Sequence, residues 1–163
     1  MSQELIIKIC ADFAAIPIVL IGSYALVFKI PKGYRFEAYK RMLMAGLTAY
    51  LLAKLIGSVY QPSSERPFEL LGTVAGASYL NNPGFPSDHT LFLMAIICAV
   101  WFETRQKTIT IILLVLLAMV CVGRVLALVH TPIDVIGGIL IAILGCVWYF
   151  DAKPNMALST KQE

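Results

Sequence analysis

Charged residues are scarce in this chain. Only 14% of its 163 residues are Asp, Glu, Lys or Arg, whereas 59% are hydrophobic. Because soluble domains usually carry about 25% charged residues, this composition excludes an ordinary soluble domain and predicts that lipid is the solvent. The formal net charge of +3 is too small to suggest nucleic-acid binding. The length favours a single domain over residues 1–163.

Cysteine pairs with metal-binding or redox spacing are also lacking. The four cysteines lie inside apolar stretches, and no two have the spacing of a CxxC motif. Since free cysteine is commonly buried like a small hydrophobic residue, neither a disulfide framework nor a zinc site is expected. The first residues do not combine a basic region, an apolar core and a small-residue cleavage site, so no removable signal peptide is expected.

Long apolar runs are what the chain has instead. A bilayer core requires about 20 apolar residues per helix. The third run is short unless its helix begins near Ser87. The runs predict an all-α fold, a polytopic membrane helical bundle with about five transmembrane helices at residues 9–28, 42–60, 90–102, 108–129 and 133–150.

Basic residues are distributed unevenly among the connections. Segments 29–41 and 103–107 and the tail after Phe150 carry nine of the thirteen Lys and Arg residues. The positive-inside rule assigns these segments to the cytoplasm. The N-terminus, the loop 61–86 and the turn around His130 then face outward. The sequence therefore predicts a multi-pass protein of the cytoplasmic (inner) membrane.

The remaining ionisable residues gather at the outward ends of the predicted spans or in the loop between them, and both histidines are among them. A charge at a helix centre costs about 2.5–3.5 kcal/mol on insertion scales, so such residues usually mark a site. The set is Lys54, Arg66, Asp88, His89, Arg124, His130 and Asp134.

One part of this set stands at a predicted helix start, in "FPSDH" at residues 85–89. Ser87 is expected to be the N-cap, and the free backbone amides after it would form an anion-binding end. Asp88 in the first turn suits the helix dipole, and that alone could be its role. A histidine at a helix start, such as His89, can likewise be purely structural.

A second helix start is predicted in "HTPID", residues 130–134. Thr131 can cap a helix whose first residue is Pro132. Asp134 then follows His130 by four residues, close enough for the carboxylate to fix the imidazole tautomer and leave the other nitrogen free. The alternative is a capping aspartate beside an interfacial histidine.

Taken together, the set suits a phosphoryl group, because arginine forks and a helix N-terminus bind phosphate. One histidine could attack phosphorus while the other protonates the leaving oxygen. Metal ligation by His89, His130 and acids is a rival interpretation. It would leave Arg66 and Arg124 unexplained, since cations repel a metal.

The motifs resemble those of the type 2 phosphatidic acid phosphatase superfamily of membrane lipid phosphatases. That family has a lysine followed by Arg-Pro, then Pro-Ser-Gly-His, then Ser-Arg-x5-His-x3-Asp. The motif region here is 54–134, and it reads "ERP" (65–67), "PSDH" (86–89) and "GRVLALVHTPID" (123–134). "FPSDH" after "RPF" looks like the bacterial undecaprenyl-pyrophosphate phosphatase branch.

Three departures from the family pattern stand out. Lys54 precedes Arg66 by twelve residues, where members often have six between the two. Gly123 replaces the usual serine and removes a possible hydroxyl contact. Asp88 replaces the usual glycine.

The resemblance implies a role for each site residue. His130 is the nucleophile that forms a phosphohistidine, Asp134 orients it, and His89 is the general acid. No metal or other cofactor is required. The residues expected to hold the phosphate are Arg66, Arg124 and Ser87, with Asp88 and Lys54 as further candidates.

The expected substrate is a lipid phosphate or pyrophosphate of the outer leaflet, with undecaprenyl pyrophosphate first. Its tail would stay among the membrane lipids. Phosphatidylglycerophosphate or phosphatidic acid phosphatase activity would use the same residues and remains open. A non-catalytic membrane protein that binds lipid phosphate is a third possibility, although binding alone requires neither nucleophile nor acid.

Overall fold

The computed structural model describes residues 2–62, 65–80, 82 and 84–150. All regular structure within these residues is helical, which confirms the predicted all-α fold. A π-helical segment, Ile9–Phe13, joins the first two helices. The helices are α1 (Gln3–Lys8), α2 (Ala15–Phe28), α3 (Arg35–Val59), α4 (Pro67–Leu70), α5 (Asp88–Thr104), α6 (Lys107–Leu126) and α7 (Pro132–Gly145).

Four helical stretches are long and apolar enough to cross a membrane: Gln3–Phe28, Lys32–Val59, Lys107–Leu126 and Pro132–Tyr149. These stretches identify an integral, polytopic membrane protein. The third predicted span is α5, which has 17 residues and extends for about 25 Å at about 1.5 Å per residue. Helix α5 begins at Asp88, directly after Ser87, which is where the third predicted span has to begin if it is not to be short.

Helix α5 lies at the centre of the bundle and packs against α2, α3, α6 and α7. Its apolar side chains Leu93, Ile97 and Val100 are buried in a cluster with residues of α2 and α6. Large hydrophobic side chains on the outside of the bundle, such as Leu20 and Leu43, remain exposed. This distribution fits helices whose outer surface contacts lipid.

Helix α7 approaches its neighbours through glycines. A Cβ atom on Gly145 would lie 2.6 Å from the carbonyl oxygen of Ala45, and one on Gly138 would lie 2.7 Å from that of Ser87. Small residues allow such close backbone packing between membrane helices. Side chains at these two positions would separate α7 from α3 and α5.

The predicted cytoplasmic end carries a buried ion pair. Arg41 donates from Nε and Nη2 to the two carboxylate oxygens of Glu103, at 2.8 and 2.7 Å. Segment 29–41 is therefore not a simple connection: α3 already begins at Arg35, and its first turns reach the end of α5. The basic residues of the tail, Lys153 and Lys161, lie outside the described residues.

Candidate active site

The N-termini of α5 and α7 are hydrogen-bonded to each other. The backbone amide of Ser87 donates to the carbonyl oxygen of Asp134 at 3.0 Å. The Thr90 hydroxyl donates to the carbonyl oxygens of Ser87 and Val135, both at 3.1 Å. The two motifs that carry the histidines are thereby held at one end of the bundle.

The start of α7 has the predicted capping geometry. Thr131 is the N-cap, and its hydroxyl accepts from the amide of Asp134 at 3.3 Å. The Asp134 carboxylate in turn accepts from the amide of Thr131 at 2.7 Å. Ser87 occupies the predicted N-cap position of α5, but its hydroxyl does not accept a hydrogen bond from that helix.

His130 lies against the carboxylate of Asp134. The distance from His130 Nδ1 to Asp134 Oδ2 is 3.7 Å, and the two side chains are 5% and 6% exposed. The same oxygen already accepts from the amide of Thr131, so the carboxylate is fixed in place. With Nδ1 facing the acid, Nε2 is on the other edge of the ring, where a nucleophile would be required.

The surroundings of His130 favour its neutral form. Burial lowers the pKa of this imidazole, and the positive charges of Arg124 and Arg66 lower it further. The Asp134 carboxylate acts in the opposite direction without reversing the result. These groups favour the unprotonated imidazole, which has the lone pair that a nucleophile would require.

Arg124 is almost completely enclosed at 1% exposure. Its Nη1 donates to Oδ1 of Asp12 at 3.1 Å and to the carbonyl oxygen of Ser78 at 2.7 Å. Its Nε has no partner in the described part of the chain. One side of the guanidinium is therefore engaged, while Nε on the other side remains available.

Three buried side-chain atoms lack a hydrogen-bond partner among the described residues: Ser87 Oγ, Arg124 Nε and His130 Nδ1. All three belong to residues that the sequence assigned to the site. Buried polar groups are nearly always paired, so each exception requires an explanation. The Ser87 hydroxyl and Arg124 Nε can both donate, so a phosphoryl oxygen could satisfy them.

Arg66 is buried beside the same turn but is held by the chain itself. Its Nη1 donates to the carbonyl oxygen of Val129 at 2.6 Å. Its Nη2 donates to the carbonyl oxygens of Leu80 and Asn82 and to the side-chain oxygen of Asn82, at 3.0–3.1 Å. The guanidinium thus places its charge next to His130, while its direct contact with phosphate remains a prediction.

The first turn of α5 carries the remaining predicted residues. Asp88 accepts from the side-chain amide of Asn82 at 2.8 Å and lies 3.8 Å from the Lys54 ammonium. Lys54 therefore reaches the edge of the site through Asp88 despite its twelve-residue separation from Arg66. His89 follows in the same turn and is partly buried.

Sequence reasoning missed two residues that organise this site, Asp12 and Asn82. Asp12 is an acid within an apolar run, and a buried charge in a membrane helix calls for a partner; that signal was available. Asn82 joins Arg66 to Asp88, and no local pattern marks it. Within the described part of the chain, no three His, Cys, Asp or Glu residues are grouped so that they could hold a metal ion.

Comparison with known proteins agrees with these motifs. Residues 39–156 match the PAP2 superfamily. The bacitracin transport permease protein BcrC of Bacillus licheniformis is 31% identical over 116 residues, which cover 71% of this chain and 55% of the relative. No solved structure matches the chain. The chain belongs to the PAP2 superfamily.

Proposed function

We propose that this PAP2 superfamily member is a membrane lipid phosphatase that works through a phosphohistidine. The observation that carries the proposal is that Ser87 Oγ and Arg124 Nε are buried without a partner among the described residues, while His130 lies against Asp134. The neutral His130 would supply a nucleophile, and the other two would hold phosphoryl oxygens. The α5 N-terminus adds backbone amides and a favourable dipole for the same anion.

The first chemical step uses both histidines. The lone pair of His130 Nε2 attacks phosphorus, and a P–N bond forms while the bond from phosphorus to the leaving oxygen breaks. A proton on His89 passes to that oxygen, so the lipid leaves as an alcohol or a lipid monophosphate. Asp134 stabilises the imidazolium that develops on His130, as the acid of a catalytic triad does.

The second step returns the enzyme to its starting state. Water attacks the phosphohistidine, and His89 accepts the proton that the water loses. The P–N bond breaks, its electron pair returns to His130, and inorganic phosphate is released. Because these residues supply nucleophile, acid and charge stabilisation, no step requires a metal ion or other cofactor.

Undecaprenyl pyrophosphate is the substrate that we favour. The resemblance of "FPSDH" and "RPF" to the undecaprenyl-pyrophosphate phosphatase branch supports it. So does the charge distribution of the connections, which assigns the site to the outer face of the cytoplasmic membrane. In this proposal the pyrophosphate enters at the outer ends of the helices and the apolar tail stays in lipid.

A substrate panel tests the proposal. Phosphate release is measured from undecaprenyl pyrophosphate, phosphatidylglycerophosphate and phosphatidic acid under identical detergent conditions, with His130→Ala as the inactive control. We expect the highest kcat/KM for undecaprenyl pyrophosphate. Preference for another lipid would change the substrate but keep the reaction, and no release from any of them would reject the reaction itself.

The relative's name suggests a second candidate, bacitracin transport. Export of the antibiotic would require a pathway through the bundle but no buried nucleophile beside an acid. A phosphatase is favoured because His130 and Asp134 are both at most 6% exposed and adjacent to two arginines. Bacitracin accumulation in vesicles that contain His130→Ala separates the two, since transport would survive this substitution.

A further inference from the structure

We propose that Asp12 is a positioning residue of the phosphate site, which fixes the Arg124 guanidinium so that its Nε edge faces the phosphoryl group. The inference rests on the proposed phosphatase function and adds to it. Asp12 lies outside residues 39–156, the part of the chain that matches the superfamily. The residue is therefore a feature of the N-terminal helix of this chain.

A closed ring of contacts holds the two side chains. Oδ1 of Asp12 accepts from Arg124 Nη1 at 3.1 Å, and its Oδ2 accepts from the Ser78 amide at 3.0 Å. The Ser78 carbonyl oxygen accepts from the same Nη1 at 2.7 Å. The carboxylate thus bridges a loop amide and a guanidinium, and the guanidinium cannot rotate without breaking two hydrogen bonds.

Arg124 therefore has a donor, Nε, that is held in one orientation and is not used by the described residues. With Nη1 bound on one side, Nε points away from the ring of contacts and has no partner among the described residues. Nε and Nη2 form an edge that can hold two oxygens of one phosphate. At 1% exposure the side chain has little room to adopt another orientation.

The backbone around Asp12 departs from α-helical geometry. The amide of Ala14 donates to the carbonyl oxygen of Ile9 at 3.0 Å, so the helix contains one π-helical turn. Such turns are rare and frequently occur at functional sites. Pro17 follows this turn, in the first turn of α2.

Gly123 allows the π-helical turn to dock. A Cβ atom at this position would lie 2.5 Å from the amide nitrogen of Ala11 and 2.7 Å from the carbonyl carbon of Cys10. The turn therefore rests directly on the backbone of α6, one residue before Arg124. The glycine in place of the family's serine removes a hydroxyl but admits the helix that brings Asp12.

A merely structural role for Asp12 would be to neutralise a buried cation. Breaking a buried ion pair destabilises a protein strongly, because it leaves a charge without its partner. If Asp12 positions Arg124, the prediction is different. A carboxylate that keeps its charge but is displaced from its present position should impair catalysis. Asp12→Glu separates the two roles, since it keeps the charge and moves it by one methylene group.

The test is a double-mutant cycle on the purified full-length chain. kcat/KM for undecaprenyl pyrophosphate and inhibition by vanadate are measured for the wild type, Asp12→Asn, Arg124→Lys and the double variant. A misplacement of about 1 Å can cost about 100-fold, so we expect Asp12→Asn to lose 10- to 100-fold. In the Arg124→Lys background the same change should cost less than about threefold, because residues that act together are not additive.

Two further variants make the outcome decisive. Asp12→Glu should keep a Tm in detergent near that of the wild type and still lose at least about tenfold in kcat/KM. Glu103→Gln removes the buried partner of Arg41, which is itself partly buried, at the other end of the bundle. We expect it to lower Tm while kcat/KM changes less than about twofold. It is the matched control for loss of an ion pair alone.

Several results would overturn the role of Asp12. One is a loss of kcat/KM from Asp12→Asn that is as large in the Arg124→Lys background as in the wild type. Another is full activity in Asp12→Glu. The third is unchanged kcat/KM and vanadate inhibition in Asp12→Asn. A wild-type chain that releases phosphate from none of the three lipids would instead reject the phosphatase function, and this role with it.

Discussion

The backbone amide of Ser87 donates to the carbonyl oxygen of Asp134 at 3.0 Å, and together with the Thr90 hydroxyl this contact joins the starts of α5 and α7. The two residues are 47 positions apart along the chain, at 87 and 134. Because His89 follows one partner and His130 precedes the other by four, their separation depends on this junction. The predictions below test the chemistry assigned to the two histidines and the packing that holds them.

Replacing each histidine should have a different effect. His130→Ala removes the nucleophile, so no phosphoenzyme should form with any substrate. His89→Ala removes only the acid, whose help is worth about 10²–10⁴-fold and matters most for a poor leaving group. We expect it to lose far more kcat/KM on a lipid monophosphate than on p-nitrophenyl phosphate.

Gel filtration in detergent is the check that both histidine variants are folded. Equal fractional losses of His89→Ala on the two substrates would contradict the general-acid role. Residual turnover in His130→Ala would contradict the nucleophile.

The pH profile of kcat/KM should report the ionisation of His130. Burial and the charges of Arg124 and Arg66 lower its pKa, so the acidic limb should lie below about 6.5, the usual value for histidine. Asp134 opposes this shift. Asp134→Asn should therefore move the limb to still lower pH while the plateau rate falls strongly, by analogy with triads about 10⁴-fold.

The pH experiment has a clear contrary result. A limb that moves to higher pH in Asp134→Asn would mean that the carboxylate does not act on the nucleophile. Arg66→Gln provides the opposite control. Loss of a nearby cation should raise the pKa of His130 and move the acidic limb to higher pH.

Removal of metal ions should leave activity nearly intact. In the proposed reaction, arginines and a helix end stabilise the phosphate. Chelation of metal ions by EDTA should therefore not affect the site. Vanadate should inhibit, because it can adopt the trigonal-bipyramidal geometry of the transferring phosphoryl group. Turnover lost in EDTA and restored by magnesium would reject the mechanism.

Gly138→Ala should loosen the junction between α5 and α7. The added methyl group would meet the Thr90 hydroxyl and lie 2.7 Å from the Ser87 carbonyl oxygen. Overpacking of this kind costs about 1–3 kcal/mol, and it should lower both the Tm in detergent and kcat/KM.

Gly46→Ala is the matched control for this substitution. Apart from its chain neighbours and its own helix backbone, no heavy atom of the described residues lies within 4 Å of a Cβ built at Gly46. This variant should therefore match or slightly exceed the wild type in Tm. An unchanged Gly138→Ala variant would show that the junction tolerates separation.

Topology follows from the basic residues of the connections. Met1 should lie outside and Glu163 in the cytoplasm, although both residues are outside the described part of the chain. Fusion reporters at the two termini measure this directly. Termini on the same side, or a cytoplasmic Met1, would contradict the five-span arrangement and the outward orientation of the site.

The features that the sequence predicted correctly depend on local patterns. Apolar runs mark α3, α6 and α7 because a bilayer imposes length and composition on each span separately. Thr131 caps α7 because its hydroxyl needs only the amide three residues ahead. Such local patterns can be recognised without any knowledge of the neighbouring helices.

The features that escaped prediction depend on distant partners. Asp12 and Arg124 are 112 positions apart, and no spacing rule joins them. From the sequence alone, Gly123 appears only to remove a hydroxyl; the fold shows that the backbone of the π-helical segment Ile9–Phe13 packs directly against it. The hydrogen bonds of Arg66 Nη1 and Nη2 to oxygens of Val129, Leu80 and Asn82 likewise follow no local pattern, and direct contact of Arg66 with phosphate remains a prediction.

Arg66 has a consequence for turnover. A guanidinium bound to the oxygens of Val129, Leu80 and Asn82 is a fixed point of positive potential, not a mobile clamp. In a poorly polarisable environment such a potential extends further than it would in water. In the proposed reaction a pyrophosphate lipid would arrive with more negative charge than the monophosphate lipid that departs. The same immobile cation would then attract the incoming headgroup more strongly than it retains the outgoing one.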